Sequence, residues 1–114
     1  MKVINTTKAP AAIGPYSQAI AANGLLFTSG QIPVDPTTGL VVEGGIESQA
    51  RMVMENLKAV LLEADVDFSA VVKTTCFISS MDDFAAFNSV YSQYFTSDAK
   101  PARSCVAVKT LPKN

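Results

Sequence analysis

The sequence predicts an α+β fold in which two helices cover one face of a mixed sheet, and three observations carry that expectation. Apolar residues recur at three- and four-residue steps from Ile46 to about Asp65, the mark of an amphipathic helix. Two runs rich in strand formers, "AVVKTTCFI" at 70–78 and "ARSCVAVKTL" at 102–111, flank a second helical stripe of Phe84, Phe87, Tyr91 and Tyr94. The dipeptide Asn23-Gly24 between apolar runs signals a hairpin, because both positions of such a turn need positive φ.

The elements follow in order. A short strand around Val3 and Ile4 leads into "KAPAAIGPYS", whose prolines and glycine read as an ordered loop. "SQAIAANGLLFTSG" supplies the hairpin, and "VDPTTG" at 34–39 a second turn, with Gly39 leading into a short strand over Leu40–Val42. The first helix buries Ile46, Ala50, Val53, Leu57, Val60, Leu61 and Ala64, while Glu47 and Arg51 on another face form a favourable i,i+4 pair. The run at 70–78 reads as a strand buried on both faces. Ser80, with Asp83 three residues on, caps the second helix, and "TSDAKP" breaks the chain before the last strand. Nothing repeats and no linker interrupts the chain, so a single domain over residues 1–114 is expected.

Composition narrows the function. The apolar fraction of 48% supports a core without metal or disulfide staples, and nine Lys/Arg against ten Asp/Glu are scattered along the chain. That pattern leaves no electrostatic footprint for nucleic acid or an anionic membrane. No apolar run approaches the ~20 residues of a membrane-spanning helix, and the opening "MKVINTTKAP" lacks a secretory core, so a cytoplasmic protein is expected. Cys76 and Cys105 lie in apolar strands and read as small buried hydrophobes. With no histidine, neither a Ser-His-Asp nor a Cys-His pair can form, and two cysteines with scattered carboxylates make a poor zinc site.

The chemistry left is that of binding and polarisation. If the strands are apolar on both faces, the face away from the helices needs a cover, and self-association is the economical one. A cleft between subunits is then lined by "GPYS", "TSGQIP" and "PARSC". Arg103, one of two arginines, opens an apolar strand with no helical partner to explain it. Its guanidinium offers parallel donors to a carboxylate, and a neighbouring backbone carbonyl can orient an N–H of the same small molecule. Cys105, two residues on, shares its strand face. Tyr16, Ser29 and Gly30, taken singly, have ordinary structural explanations as loop residues.

Six blocks in order, "APAAIGPYSQAI", "LFTSGQIPVDPTTG", "ENLKAVL", "VVKTTCFI", "DFAAFNSVYSQYF" and "PARSCVAV…LP", closely resemble the RidA family, also known as YjgF, between about residues 8 and 113. The resemblance implies a chorismate-mutase-like fold, a homotrimer with a central barrel, and three clefts between neighbouring subunits. It implies cofactor-free hydrolysis of 2-aminoacrylate, 2-iminopropanoate and 2-iminobutanoate, released by pyridoxal-phosphate-dependent dehydratases, to 2-keto acids and ammonia. Residue by residue, it implies that Arg103 binds the substrate carboxylate and that the Cys105 backbone carbonyl accepts from the imine nitrogen. Tyr16, Ser29, Gly30 and Asn88 are then pocket-lining, and no metal is used. The family pattern continues past the "LP" block into a final strand whose glutamate is proposed to position water; the sequence ends at Asn114 without it, leaving water activation unassigned. A second reading is a noncatalytic trimer binding 2-keto acids or other small carboxylates. A ribonuclease, an activity attached to some members of that family, is disfavoured by the missing histidine and basic patch.

Overall fold

The computed structural model describes residues 1–113. Three short strands, β1 (Lys2–Ile4), β2 (Ala19–Ala22) and β3 (Leu25–Thr28), form an antiparallel sheet in that order. Asn23 and Gly24 join β2 to β3 at φ of 53° and 76°, the left-handed pair that a two-residue hairpin turn requires. After helix α1 (Ile46–Glu63) comes β4 (Lys73–Ile78), then α2 (Phe84–Ser92), then β5 (Ala102–Ala107), which pairs with β4 in parallel. That is the right order for a crossover: α2 carries the chain back so that β5 runs alongside β4.

The α+β class and both helices are as the sequence predicts, with several local differences. The hydrogen-bond ladders divide into two sheets, β1-β2-β3 and β4-β5. The strand expected at Leu40–Val42 is reduced to a single bridge between Val34 and Val41, because the turn closes on itself through Asp35 N–H to the Leu40 carbonyl and Gly39 N–H to the Asp35 carbonyl. A single turn of 3₁₀ helix, Met81–Asp83, precedes α2, and Ser80 Oγ accepts from the Asp82 N–H. Tyr94 lies beyond the end of α2 rather than on it. Glu47 and Arg51 do not pair among the described residues; Arg51 Nη2 donates to Gln93 Oε1 at 3.2 Å, while Tyr94 Oη donates to Glu55 Oε2 at 2.7 Å. Both contacts tie α1 to the segment that follows α2.

α1 packs across both sheets. Ala50 and Met54 join Ile78, Phe87, Val90, Tyr91 and Phe95 in one cluster, and Val60 joins Ile4, Ala9 and Ala19 in the other. β4 is buried on one face only. Thr74, Cys76 and Ile78 face the helices, whereas Thr75 and Phe77 stand exposed. Its β-branched composition hides this, since both faces are built from similar side chains.

Two buried amides fix loops that local patterning does not reach. Gln18 Oε1 accepts from the Thr6 N–H at 2.7 Å and its Nε2 donates to the Pro10 carbonyl at 2.8 Å, holding the segment before the "GPYS" loop against β2. Asn56, fully buried on α1, donates to the Val34 carbonyl at 2.9 Å and the Ile32 carbonyl at 3.2 Å. Its Oδ1 has no partner among the described residues. Asn56→Ala leaves two loop carbonyls without their donor, and a destabilisation of roughly 1–3 kcal/mol is expected from urea unfolding at an unchanged m-value. A midpoint within error of wild type would remove this role.

Candidate functional site

Arg103 and Asn88 come from different elements and meet under α2. Because β5 alternates faces, Arg103 and Cys105 point toward the helices while Ser104 and Val106 point away. Asn88 sits one residue past buried Phe87 on α2, half-buried at the edge of the helix stripe. Its Oδ1 accepts from Arg103 Nη1 at 2.6 Å. The guanidinium carbon also lies 4.7 Å from the Tyr91 ring centroid and 5.4 Å from that of Phe84. These π faces attract the cation and fix the plane of its fork.

Tyr91 is itself held. Its hydroxyl is 2.7 Å from Thr74 Oγ1 on β4, and its ring packs 4.5 Å from Phe95 and 5.8 Å from Phe87, centroid to centroid. Burial pushes the hydroxyl above the usual tyrosine pKa, partly offset by the Thr74 hydrogen bond, so Tyr91 is a neutral platform at physiological pH. Among the described residues the acceptor that Arg103 reaches is an uncharged amide, and one arm of a five-donor fork is engaged. Such a half-buried cation is suited to an incoming carboxylate.

Tyr16, Ser29 and Gly30 gather elsewhere, at the ends of β2 and β3. Ser29 Oγ donates to the Ser17 carbonyl at 2.6 Å and the Ser29 N–H to the Gln18 carbonyl at 2.9 Å, which places the "TSG" turn against the "GPYS" loop. Tyr16 is 54% exposed, with its hydroxyl 3.4 Å from the Ile13 N–H, and Gly30 is exposed with open space where a Cβ would stand. No hydrogen bond or apolar cluster among the described residues joins this group to Arg103 and Asn88. Sequence reasoning missed Tyr91, Phe84 and Thr74 as supports of the guanidinium; the aromatic stripe on α2 was the available signal, but it read as core.

A half-buried arginine on a strand, held by an asparagine and two aromatic faces of a covering helix, in a chain with no histidine, defines a small α+β protein whose distinguishing polar feature is an oriented cation. Residues 6–114 match the family described as Endoribonuclease L-PSP. The chain is 56% identical to a RutC family protein of Synechocystis, over 100% of this chain and 88% of the relative. It is 46% identical to a mouse protein named 2-iminobutanoate/2-iminopropanoate deaminase, over 98% of this chain and 82% of the relative. The crystal structure of Escherichia coli TdcF with bound serine superposes with a TM-score of 0.93 at 44% identity, covering 99% of this chain and 90% of that one. The chain belongs to the Endoribonuclease L-PSP family, the RidA/YjgF proteins.

Proposed function

We propose that this protein hydrolyses small 2-imino acids and their enamine tautomers, 2-aminoacrylate, 2-iminopropanoate and 2-iminobutanoate, to 2-keto acids and ammonia. The observation that carries the reading is Arg103, held by Asn88, Tyr91 and Phe84 with most of its donors unengaged among the described residues. The substrate carboxylate takes a bidentate pair of hydrogen bonds from that guanidinium. The Cys105 carbonyl, two residues along the same strand, accepts from the imine N–H. Water adds to the C=N carbon to give a carbinolamine, whose C–N bond then breaks to release ammonia and leave the keto group. No cofactor or metal enters, and the upstream source is a pyridoxal-phosphate-dependent serine or threonine dehydratase of the cytoplasm. The mouse relative's name supports this substrate class, and the serine in the TdcF structure is a small α-amino acid of the same shape.

The assembly belongs to the same proposal. Val3, Leu25 and Phe27 on the first sheet and Phe77 and Val106 on the second are all exposed on the faces turned from the helices. Burying them against two further copies as a homotrimer brings the Tyr16-Ser29-Gly30 group of one copy to the Arg103-Asn88 group of its neighbour. Among the described residues no helix is long and apolar enough to cross a membrane.

One observation favours a second reading, a noncatalytic binder of the same acids. The groups around Arg103 are an amide, an aromatic ring and a tyrosine whose pKa is raised, none of them a general base at neutral pH. Threonine dehydratase with semicarbazide as a trap for free imine separates the two. Under the deaminase reading, added protein diverts product from semicarbazone to 2-oxobutanoate. Calorimetric binding of 2-oxobutanoate without that diversion assigns the protein to binding.

A further inference from the structure

The parallel ladder places Cys76 directly opposite Cys105, with Thr74 opposite Arg103 in the preceding pair on the same face. Both cysteines are free and half-buried, and both pack against the cluster under α2. Neighbouring strands run about 4.8 Å apart, inside the roughly 4.4–6.8 Å between Cα atoms that a disulfide spans. Paired residues of a parallel ladder project their side chains in the same direction, so neither thiol has to cross the sheet to reach the other.

We propose that Cys76 and Cys105 are a peroxide-oxidisable pair that closes to a disulfide between β4 and β5 within one chain. The pair shares Cys105 with the proposed deaminase site, through that residue's carbonyl, but the oxidation does not depend on imine hydrolysis. Burial, and secondly the neighbouring Cys105, push the Cys76 thiol above its ordinary pKa. Cys76, whose thiolate is disfavoured, is assigned as the resolving thiol and Cys105, opposite it on the ladder, as the sulfur oxidised first. The Cys105 sulfur attacks one peroxide oxygen, the O–O bond breaks, and the thiol proton passes to the leaving hydroxide, so that a sulfenic acid and one water form. Cys76 sulfur then attacks the sulfenic sulfur, the S–O bond breaks, and a second water leaves as the S–S bond forms and the Cys76 proton is lost to the leaving hydroxide. Two thiols are oxidised and one hydrogen peroxide is reduced to two waters. The new bond lies two ladder pairs from Arg103, on the same face of the strands.

The test is titration of the purified protein with hydrogen peroxide, followed by alkylation and intact-mass and peptide mapping without reductant. Wild type is expected to lose both free thiols together, with the mass falling by two hydrogens, the two cysteine peptides linked within a monomer, and dithiothreitol restoring both. Cys76→Val, which keeps the apolar packing, is expected instead to stop at oxygen adducts on Cys105 under the same dose. Linkage only between different chains, or oxygen adducts on wild-type Cys105 with Cys76 still alkylatable, overturns the proposal. Should Cys76→Val fail to fold, Cys76→Ser is read the same way. Because every readout is thiol state and mass, failure of the imine assay leaves this result standing, and the reverse also holds.

Discussion

Arg103→Ala is expected to reduce kcat/KM for 2-iminobutanoate by about thirty-fold to several-thousand-fold, with the oligomeric state and far-UV circular dichroism unchanged. One arm of the guanidinium is bound to Asn88 and its plane rests on Tyr91 and Phe84, so the side chain is oriented before any ligand arrives. A carboxylate entering that half-buried position gains two charge-assisted hydrogen bonds in a medium less polar than water. Truncating one partner of such a pair costs roughly 2–5 kcal/mol, and each 1.36 kcal/mol is tenfold in rate, which gives the range above. Arg103→Lys keeps the charge but loses the fork and the stacked plane, so it falls between alanine and wild type. The semicarbazide competition measures both variants. Wild-type diversion by Arg103→Ala would remove the arginine from the site and, with it, the carboxylate-binding step.

Parts of this arrangement are legible in the sequence because they are local. The Asn23-Gly24 hairpin is a statement about φ at two adjacent residues, and α1 is a periodicity over five turns; both stand where the pattern puts them. The face of β4 was not legible, since Phe77 and Thr75 on the open side are as strand-like as Cys76 and Thr74 on the covered side. Asn56 and Gln18 look like ordinary surface amides until loops eight or more residues away bring their carbonyls to them. Arg103 could be singled out as unexplained, but its meeting with Asn88, fifteen residues earlier, depends on α2 folding back over β5. Only the resemblance to a family named Asn88. The opposition of Cys76 and Cys105 likewise exists only once the parallel register is fixed.

Under the proposed homotrimer, Phe27→Lys is expected to leave the protein a monomer in size-exclusion chromatography with light scattering, and to abolish imine hydrolysis while leaving Arg103 untouched. Phe27 is 59% exposed on β3, and the ladder sets it opposite Ile20, which is opposite Val3, making one apolar row across the outer face of the first sheet. In an isolated chain the substitution replaces one solvent-facing side chain by another, so its cost to the fold is within about 0.5 kcal/mol. In an assembly that buries the row, each copy instead carries an ammonium group into an apolar contact, which costs several kcal/mol per unpaired charge. The difference between those two costs is what separates association from folding. Loss of activity in a folded monomer means that Arg103 and Asn88 are insufficient alone, as expected if Tyr16, Ser29 and Gly30 reach the substrate from a neighbouring copy. Full activity in a monomer would place the whole site within one chain and overturn the shared cleft, and a trimer that survives the lysine would show that this apolar row is not the surface that assembles.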